Sequence, residues 1–239
     1  MFGRFLELAI ATHDIAASVQ FYERLGFVQL PTTDAWSYRY GVLSDGRIHL
    51  GLHECPMPSP SLSFVRPELA RAAAGFAAAQ LEPELTRLGE EELHQLRVRD
   101  PGGQAITLLE ARTYSPAGPP MGGASVCGYF AHLSLPQTDF ELARVFWERA
   151  GFVALPELDE PYAHLPLTSD RLDLAFHRRR WFDAPLLVFE CEDLTEQCIR
   201  MHSLGIALSS ELPRGADRAS SALIEAPEGT LLWMLQAGA

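Results

Sequence analysis

The chain repeats itself across its length. Asp14-Ile15-Ala16-Ala17-Ser18-Val19-Gln20-Phe21-Tyr22-Glu23-Arg24-Leu25-Gly26-Phe27-Val28 returns as Asp139-Phe140-Glu141-Leu142-Ala143-Arg144-Val145-Phe146-Trp147-Glu148-Arg149-Ala150-Gly151-Phe152-Val153. The offset holds at 139 − 14 = 125 and 151 − 26 = 125. A duplication of this kind restricts the 239 residues to two equivalent halves, each carrying its own copy of every structural device. Each candidate site residue then has a twin against which it can be checked.

Within the repeat, Phe5–Ala11 is an apolar strand, Asp14 supplies a helix cap, and Ile15, Val19 and Tyr22 recur at helical spacing until Gly26. Trp36–Leu43 and Ile48–His53 are predicted strands around the turn Ser44-Asp45-Gly46. The second half repeats the pattern with His132–Leu135, a helix capped by Asp139, and strands Ala163–Thr168 and Leu172–His177. A second unit follows in each half. Leu62–Val65, an alanine-rich helix Glu68–Gln80, and strands Leu96–Arg99 and Gln104–Glu110 correspond to Leu186–Glu190, a helix opened by Asp193 and Glu196, Ala222–Ile224 and Thr230–Gln236. The expected class is α+β, with tandem βαβββ modules, four in all. The expected division is 1–112, a Pro/Gly-rich linker at 113–128, and 129–239.

The net charge of −12 argues against nucleic acid, whose phosphates need a basic surface, and leaves neutral or cationic small molecules unopposed. Cys55, Cys127, Cys191 and Cys198 form no CxxC pair, so free thiols in a reducing cytoplasm are expected. The start of the chain shows no signal-peptide pattern, and no apolar run approaches a membrane span. Nucleophile elbow, phosphate loop, dinucleotide fingerprint and HExxH are all missing from the sequence.

The strand-Asp-helix-Phe-Tyr/Trp-Gly-Phe pattern and the turns Asp100-Pro101-Gly102-Gly103 and Ala226-Pro227-Glu228-Gly229 resemble the vicinal-oxygen-chelate superfamily. That superfamily includes glyoxalase I, bleomycin-resistance proteins and extradiol dioxygenases. The resemblance covers about Phe5 to Ala111 and Tyr129 to Gln236, and implies paired modules curling into two incomplete barrels around a ligand or a divalent metal. It leaves the reaction open.

Strand alternation places Glu7, Ala9 and Ala11, matched by His132, Ser134 and Pro136, on the face opposite the core. His49, Gly51 and His53 stand likewise opposite Asp173, Ala175 and His177. Polar and small residues on one face suit a pocket wall. By the resemblance, Glu7, His49, His132 and Asp173 occupy metal-ligand positions, the metal being Fe, Mn, Ni or Zn. The partner modules offer only residues near Ser61 and Leu186, with Thr107 and Trp233 in the last strands. A family site takes three or four ligands, so each half falls short, and Glu7 and His49 read equally well as a hydrogen-bonded polar wall. His49 and His53 lie roughly 13 Å apart along one strand and do not complete a set. His53 and His177 read as surface groups at strand ends.

In the other strand of the hairpin, Tyr38, Tyr40 and Val42 match Ala163, Leu165 and Leu167 as core, which turns Arg39 and His164 toward the pocket. Arg39 suits a substrate carboxylate or an ion pair with Glu7, and Trp233 suits stacking on a flat ligand. His164 and Thr107 are the other expected ligand contacts, and Trp36, Trp181 and Phe182 near loops suit aromatic lining. Two functions remain open. One is small-molecule sequestration in a barrel with a degenerate metal site or none. The other is a divalent-metal-dependent lyase, isomerase or dioxygenase acting on vicinal oxygens. A monomer suffices to build both barrels, and a homodimer is equally compatible. The mismatched twins predict that the two pockets differ.

Overall fold

The duplicated aspartates cap helices as the repeat predicts. Asp14 accepts a hydrogen bond from the backbone N–H of Ala17 at 3.1 Å and opens α1 (Ile15–Arg24). Asp139 accepts from Leu142 at 3.0 Å and opens α3 (Phe140–Ala150), which ends on Gly151 at φ 109°. That left-handed conformation favours glycine because it has no Cβ to clash. A computed structural model describes residues 2–32, 36–78, 82–111 and 125–238.

In the first half, β1 (Arg4–Ala11), α1, β2 (Val28–Leu30), β3 (Tyr40–Ser44) and β4 (His49–His53) form one module. The second comprises β5 (Ser61–Arg66), α2 (Leu69–Ala78), β6 (Leu85–Arg87), β7 (Gln95–Arg99) and β8 (Ala105–Glu110). The strands make one sheet in the order β2-β3-β4-β1-β5-β8-β7-β6. The two modules join where β1 runs antiparallel to β5.

The second half has β9 (Tyr129–Gln137), α3, β10 (Val153–Ala154), β11 (His164–Thr168) and β12 (Leu174–Arg178). Its last module is β13 (Leu186–Cys191), α4 (Leu194–Ser203), β14 (Ser221–Glu225) and β15 (Leu231–Gln236), with one strand fewer. The sheet order is β10-β11-β12-β9-β13-β15-β14. Both sheets are open, with no closed barrel among the described residues, as the incomplete-barrel expectation requires.

Some boundaries differ from the sequence reading. Trp36–Arg39 lies before β3 instead of inside it, and the short strands β2, β6 and β10 were not anticipated. Most of the expected linker, with the end of the expected helix at 79–80, lies outside the described residues. All four cysteines are free, and no helix among the described residues is long and apolar enough to cross a membrane.

The two halves share one apolar core. Phe2 of the first packs against Phe146 and Trp147 of the second, at ring-centroid distances of 5.8 and 6.2 Å. A pair of reciprocal polar clasps accompanies it. The β7–β8 turn sends Asp100 into the other half, where one carboxylate oxygen accepts from Gln137 Nε2 at 2.6 Å and Trp147 Nε1 at 3.1 Å. Its other oxygen accepts from Gln104 N in its own turn at 2.7 Å. The β14–β15 turn sends Glu228 back to accept from Tyr22 Oη at 2.6 Å and Ser18 Oγ at 2.8 Å. Tyr22 and Trp147 are twins in the repeat, at 147 − 22 = 125. Gly102 is needed beside the first clasp, since a Cβ there would meet the Gln137 side chain at 2.4 Å.

Burial pushes the Asp100 carboxyl above its ordinary pKa, while its hydrogen-bond donors oppose the shift. Removing it would leave three buried donors unpaired. Asp100→Ala is therefore expected to lower the unfolding free energy by roughly 2–3 kcal/mol in urea titrations. Arg144→Ala, which removes only exposed ion pairs to Glu141 and Glu148, is expected to leave the urea midpoint essentially unchanged.

Candidate functional site

Register across the first sheet places one residue from each of five strands in a row. Glu7 on β1 faces Ser63 on β5, Ser63 faces Thr107 on β8, Thr107 faces Arg97 on β7, and Arg97 faces Leu85 on β6. All five line a cavity of about 550 Å³, with Trp36, Tyr38, His53, Cys55 and Arg87 among the other walls. The expected partner-module residue Ser61 sits one pleat along from Ser63, on the same face. Ser61 Oγ lies 3.3 Å from Thr107 Oγ1.

Glu7 is 1% exposed and fully engaged. Tyr40 Oη donates to one carboxylate oxygen at 2.6 Å, and His53 Nε2 lies 2.9 Å from the other. The hydroxyl of Tyr38 meets His53 Nδ1 at 3.1 Å. Gly51 lies under this carboxylate: a Cβ there would stand 2.1 Å from Glu7 Oε2. His53, expected at the surface, is instead buried as Glu7's partner. His49, expected beside Glu7 as a ligand, sits near the Leu6 backbone, and burial lowers its pKa.

In the first half the hairpin faces are the reverse of the sequence expectation, whereas His164 in the second turns toward His132 as the alternation there places it. Arg39 is largely exposed and pairs with Glu54 at 2.6 Å, whereas Tyr38 and Tyr40 turn inward. The reason is one residue. Tyr40 pairs with His53 and His164 with His177, so the offset across this hairpin is 164 − 40 = 124. A shift of one along a strand exchanges its two faces. Tyr38 corresponds to Tyr162, and Tyr40 to His164.

The equivalent row in the second sheet is His132 on β9, Val188 on β13, Trp233 on β15 and Leu223 on β14. Val188, one pleat from the expected Leu186, is the residue in line. Trp233 is 1% exposed and packs with Tyr162, Leu186, Val188 and Leu223. Tyr162 stacks on Trp181 at 5.1 Å and 5°, and on His164 at 4.4 Å. His164 stacks in turn on His132 at 5.7 Å. Aromatic rings thus fill the region that corresponds to the first half's cavity. Trp233 is part of that filling.

Polar atoms inside this cluster are chained. His132 Nε2 lies 2.7 Å from Tyr162 Oη, which donates to Ser134 Oγ at 3.0 Å. Ser134 Oγ meets His177 Nδ1 at 2.8 Å, and His177 Nε2 reaches Phe182 O at 2.9 Å. Burial, with help from His164 and His177, pushes the His132 pKa down to about 3. Burial takes His177 down to about 4 and lowers His164 as well. Asp173 lies apart from them, exposed, and accepts from Thr168 Oγ1 at 2.6 Å.

These donors do not fit a divalent metal. Coordination needs three or four ligands converging on one point. Glu7 has Ser63 and Thr107 beside it, and His132 has Val188 and Trp233. Glu7 and His132 belong to different sheets, so the cross-module set of Glu7, His49, His132 and Asp173 is not gathered. No three His, Cys, Asp or Glu come together as a metal site among the described residues.

Trp36, expected as aromatic lining, is found there; the sequence reading missed Arg87 and Arg97. Alternation along Gln95-Leu96-Arg97-Val98-Arg99 carries the signal for Arg97, since Leu96 and Val98 belong to the core and Arg97 must face the other way.

The buried neutral histidines set the acid stability. Their folded pKa values lie below the unfolded value of about 6.5, so the unfolded chain binds more protons as pH falls. Their contribution is complete above pH 6.5 and is lost progressively toward pH 4. Each contributes at most about 1.4 kcal/mol per pH unit. The raised carboxyls of Asp45 and Asp100 act in the opposite sense, so between pH 6.5 and 5 it is the difference between wild type and a histidine variant that reports the histidines. Relative to His177→Gln, the wild-type urea midpoint should fall across that interval.

Similarity to known proteins extends over both halves. The solved structure of the 2,3-dioxygenase LapB from Pseudomonas sp. KL28 superposes with a TM-score of 0.62 at 17% identity, covering 100% of this chain and 94% of that one. A catechol 2,3-dioxygenase gives 0.59 at 16% identity, covering 99% and 88%. A variant of homoprotocatechuate 2,3-dioxygenase from B. fuscum, in complex with HPCA, gives 0.63 at 18%, covering 98% and 71%. At these identities the likeness establishes the fold. Comparison with curated protein sequences finds no significant match. The family model described as Glyoxalase/Bleomycin resistance protein/Dioxygenase superfamily matches residues 4–234, and the chain belongs to that superfamily.

Proposed function

We propose that the chain binds a small molecule in the first-half cavity, while the second half serves as its packed structural counterpart. One observation carries this reading: equivalent rows hold Glu7-Ser63-Thr107-Arg97 around about 550 Å³ of space and His132-Val188-Trp233-Leu223 within an aromatic cluster. The first row combines convergent polar groups with Trp36, Leu85, Leu93 and Leu109, the mixture that orients a ligand while desolvating it. Thr107 and Trp233, expected to contact ligand, take opposite roles here: Thr107 lines the cavity and Trp233 fills its counterpart.

The alternative of a metal-dependent lyase, isomerase or dioxygenase draws support from the superfamily and its dioxygenase neighbours. The donor set does not sustain it in either half. On this reading, adding Fe, Mn, Ni or Zn, or a chelator, leaves the thermal midpoint unchanged within about 1 °C. A saturable upward shift with one of these metals would restore the alternative.

Exchanging the twins tests the binding reading. Thr107→Trp places the second half's filler in the first half's cavity. It is expected to abolish the thermal shifts that the wild-type protein shows with small-molecule library hits, without loss of fold by circular dichroism. The reverse change, Trp233→Thr, is expected to cost about 3–5 kcal/mol in urea unfolding, because it leaves a void in a packed cluster. Library hits that survive Thr107→Trp would move the site elsewhere.

A further inference from the structure

The first-half cavity has an acidic pole that is satisfied and a basic pole that is not. At the acidic pole, both Glu7 oxygens are held by Tyr40 and His53. At the other, Arg97 and Arg87 line the wall, and neither side chain has a hydrogen-bond or ion-pair partner among the described residues. The Nε–H of Arg97 is buried without a partner. A buried guanidinium N–H left unpaired is uncommon in native proteins and asks for a partner.

Nearby carboxylates are otherwise employed. Glu84 pairs with Arg99, and Glu92, which also lines the cavity, accepts from the Gly89 backbone N–H at 3.0 Å. Trp36 supplies a second buried N–H without a partner, on an aromatic wall where its ring stacks with Tyr38 at 5.5 Å. The position equivalent to Arg97 in the filled half is Leu223, facing Trp233. The guanidinium is thus confined to the half that has space.

Building on the small-molecule reading above, we infer that the cavity's ligand is a small aromatic acid. Its anionic group is bound by Arg97 and Arg87, and its ring lies along the Trp36/Tyr38 wall. Guanidinium matches a carboxylate or a sulfonate in geometry as well as charge. Glu7 and Arg97 are separated by three strand spacings, roughly 14 Å between backbones, so once the side chains are counted the gap suits one ring with a short acidic arm.

The test is calorimetric titration of the full chain with benzoate and 3-phenylpropionate, alongside their neutral amides. The acids should bind more tightly than the amides. Arg97→Gln should weaken the acids roughly ten- to a hundredfold, the worth of a charge-assisted hydrogen bond, and leave the amides unchanged. If Arg97→Gln fails to fold, Arg97→Lys, which keeps the charge but loses the Nε–H, and Arg87→Gln, on the exposed rim, should each weaken the acids several-fold. Equal binding of acids and amides, or acid affinity untouched by these changes, overturns the inference. So do library hits that are neutral or cationic and are abolished by Thr107→Trp, and in that case the binding site itself stands. If Thr107→Trp abolishes no hit, the site falls and the inference with it.

Discussion

The structure depends on two carboxylates, one buried and one half-buried, that each half lends to the other. Asp100 receives Trp147 and Gln137, and Glu228 receives Tyr22 and Ser18. A carboxylate taken from water is costly unless its oxygens are fully hydrogen-bonded, so these contacts tolerate little relative movement of the halves. The first clasp also reaches the cavity. Asp100 sits in the turn between β7 and β8, the strands that bear Arg97 and Thr107. Fixing that turn against α3 fixes one wall of the cavity from outside it.

The scaffold was legible in the sequence because its devices are local. An aspartate before an apolar helical pattern, a glycine after it, and a Pro-Gly turn each act over a few residues, and the repeat supplied every one of them twice. The cavity was less legible because its faces depend on register, a property of pairs of strands. A single-residue difference between repeat and hairpin, 125 against 124, was enough to turn Arg39 outward and bring Tyr38 and Tyr40 in. Alternation within one strand could not reveal this, since both assignments alternate equally well. Glu7 and Thr107 were placed on the correct face because the offset is undisturbed in β1 and their register is fixed by neighbouring strands. Arg97 was overlooked although its strand was recognised.

The two rows show how a duplicated scaffold separates stability from binding. In the second half, Val188, Trp233 and Leu223 contribute apolar area, and Tyr162, Trp181 and His164 add stacking. Burial there is worth about 25 cal/mol per Å². In the first half the same positions carry Ser63, Thr107 and Arg97, which forgo that gain and leave a space with directed polar groups. The clasps join both sheets through one core, so the packed half helps support the one that gave up packing.

Net charge is a poor guide to what such a cavity admits. A chain at −12 would repel an anion at long range, which is why neutral or cationic guests seemed unopposed. That repulsion is screened within about 8–10 Å at physiological salt. Inside the cavity the relevant charges are those on its wall. The Glu7 carboxylate is already hydrogen-bonded through both oxygens, while Arg97 and Arg87 form no ion pair with a carboxylate among the described residues. Low local polarity strengthens their field at short distance. The overall charge therefore acts on encounter rate, and the unpaired guanidinium groups act on the choice of ligand.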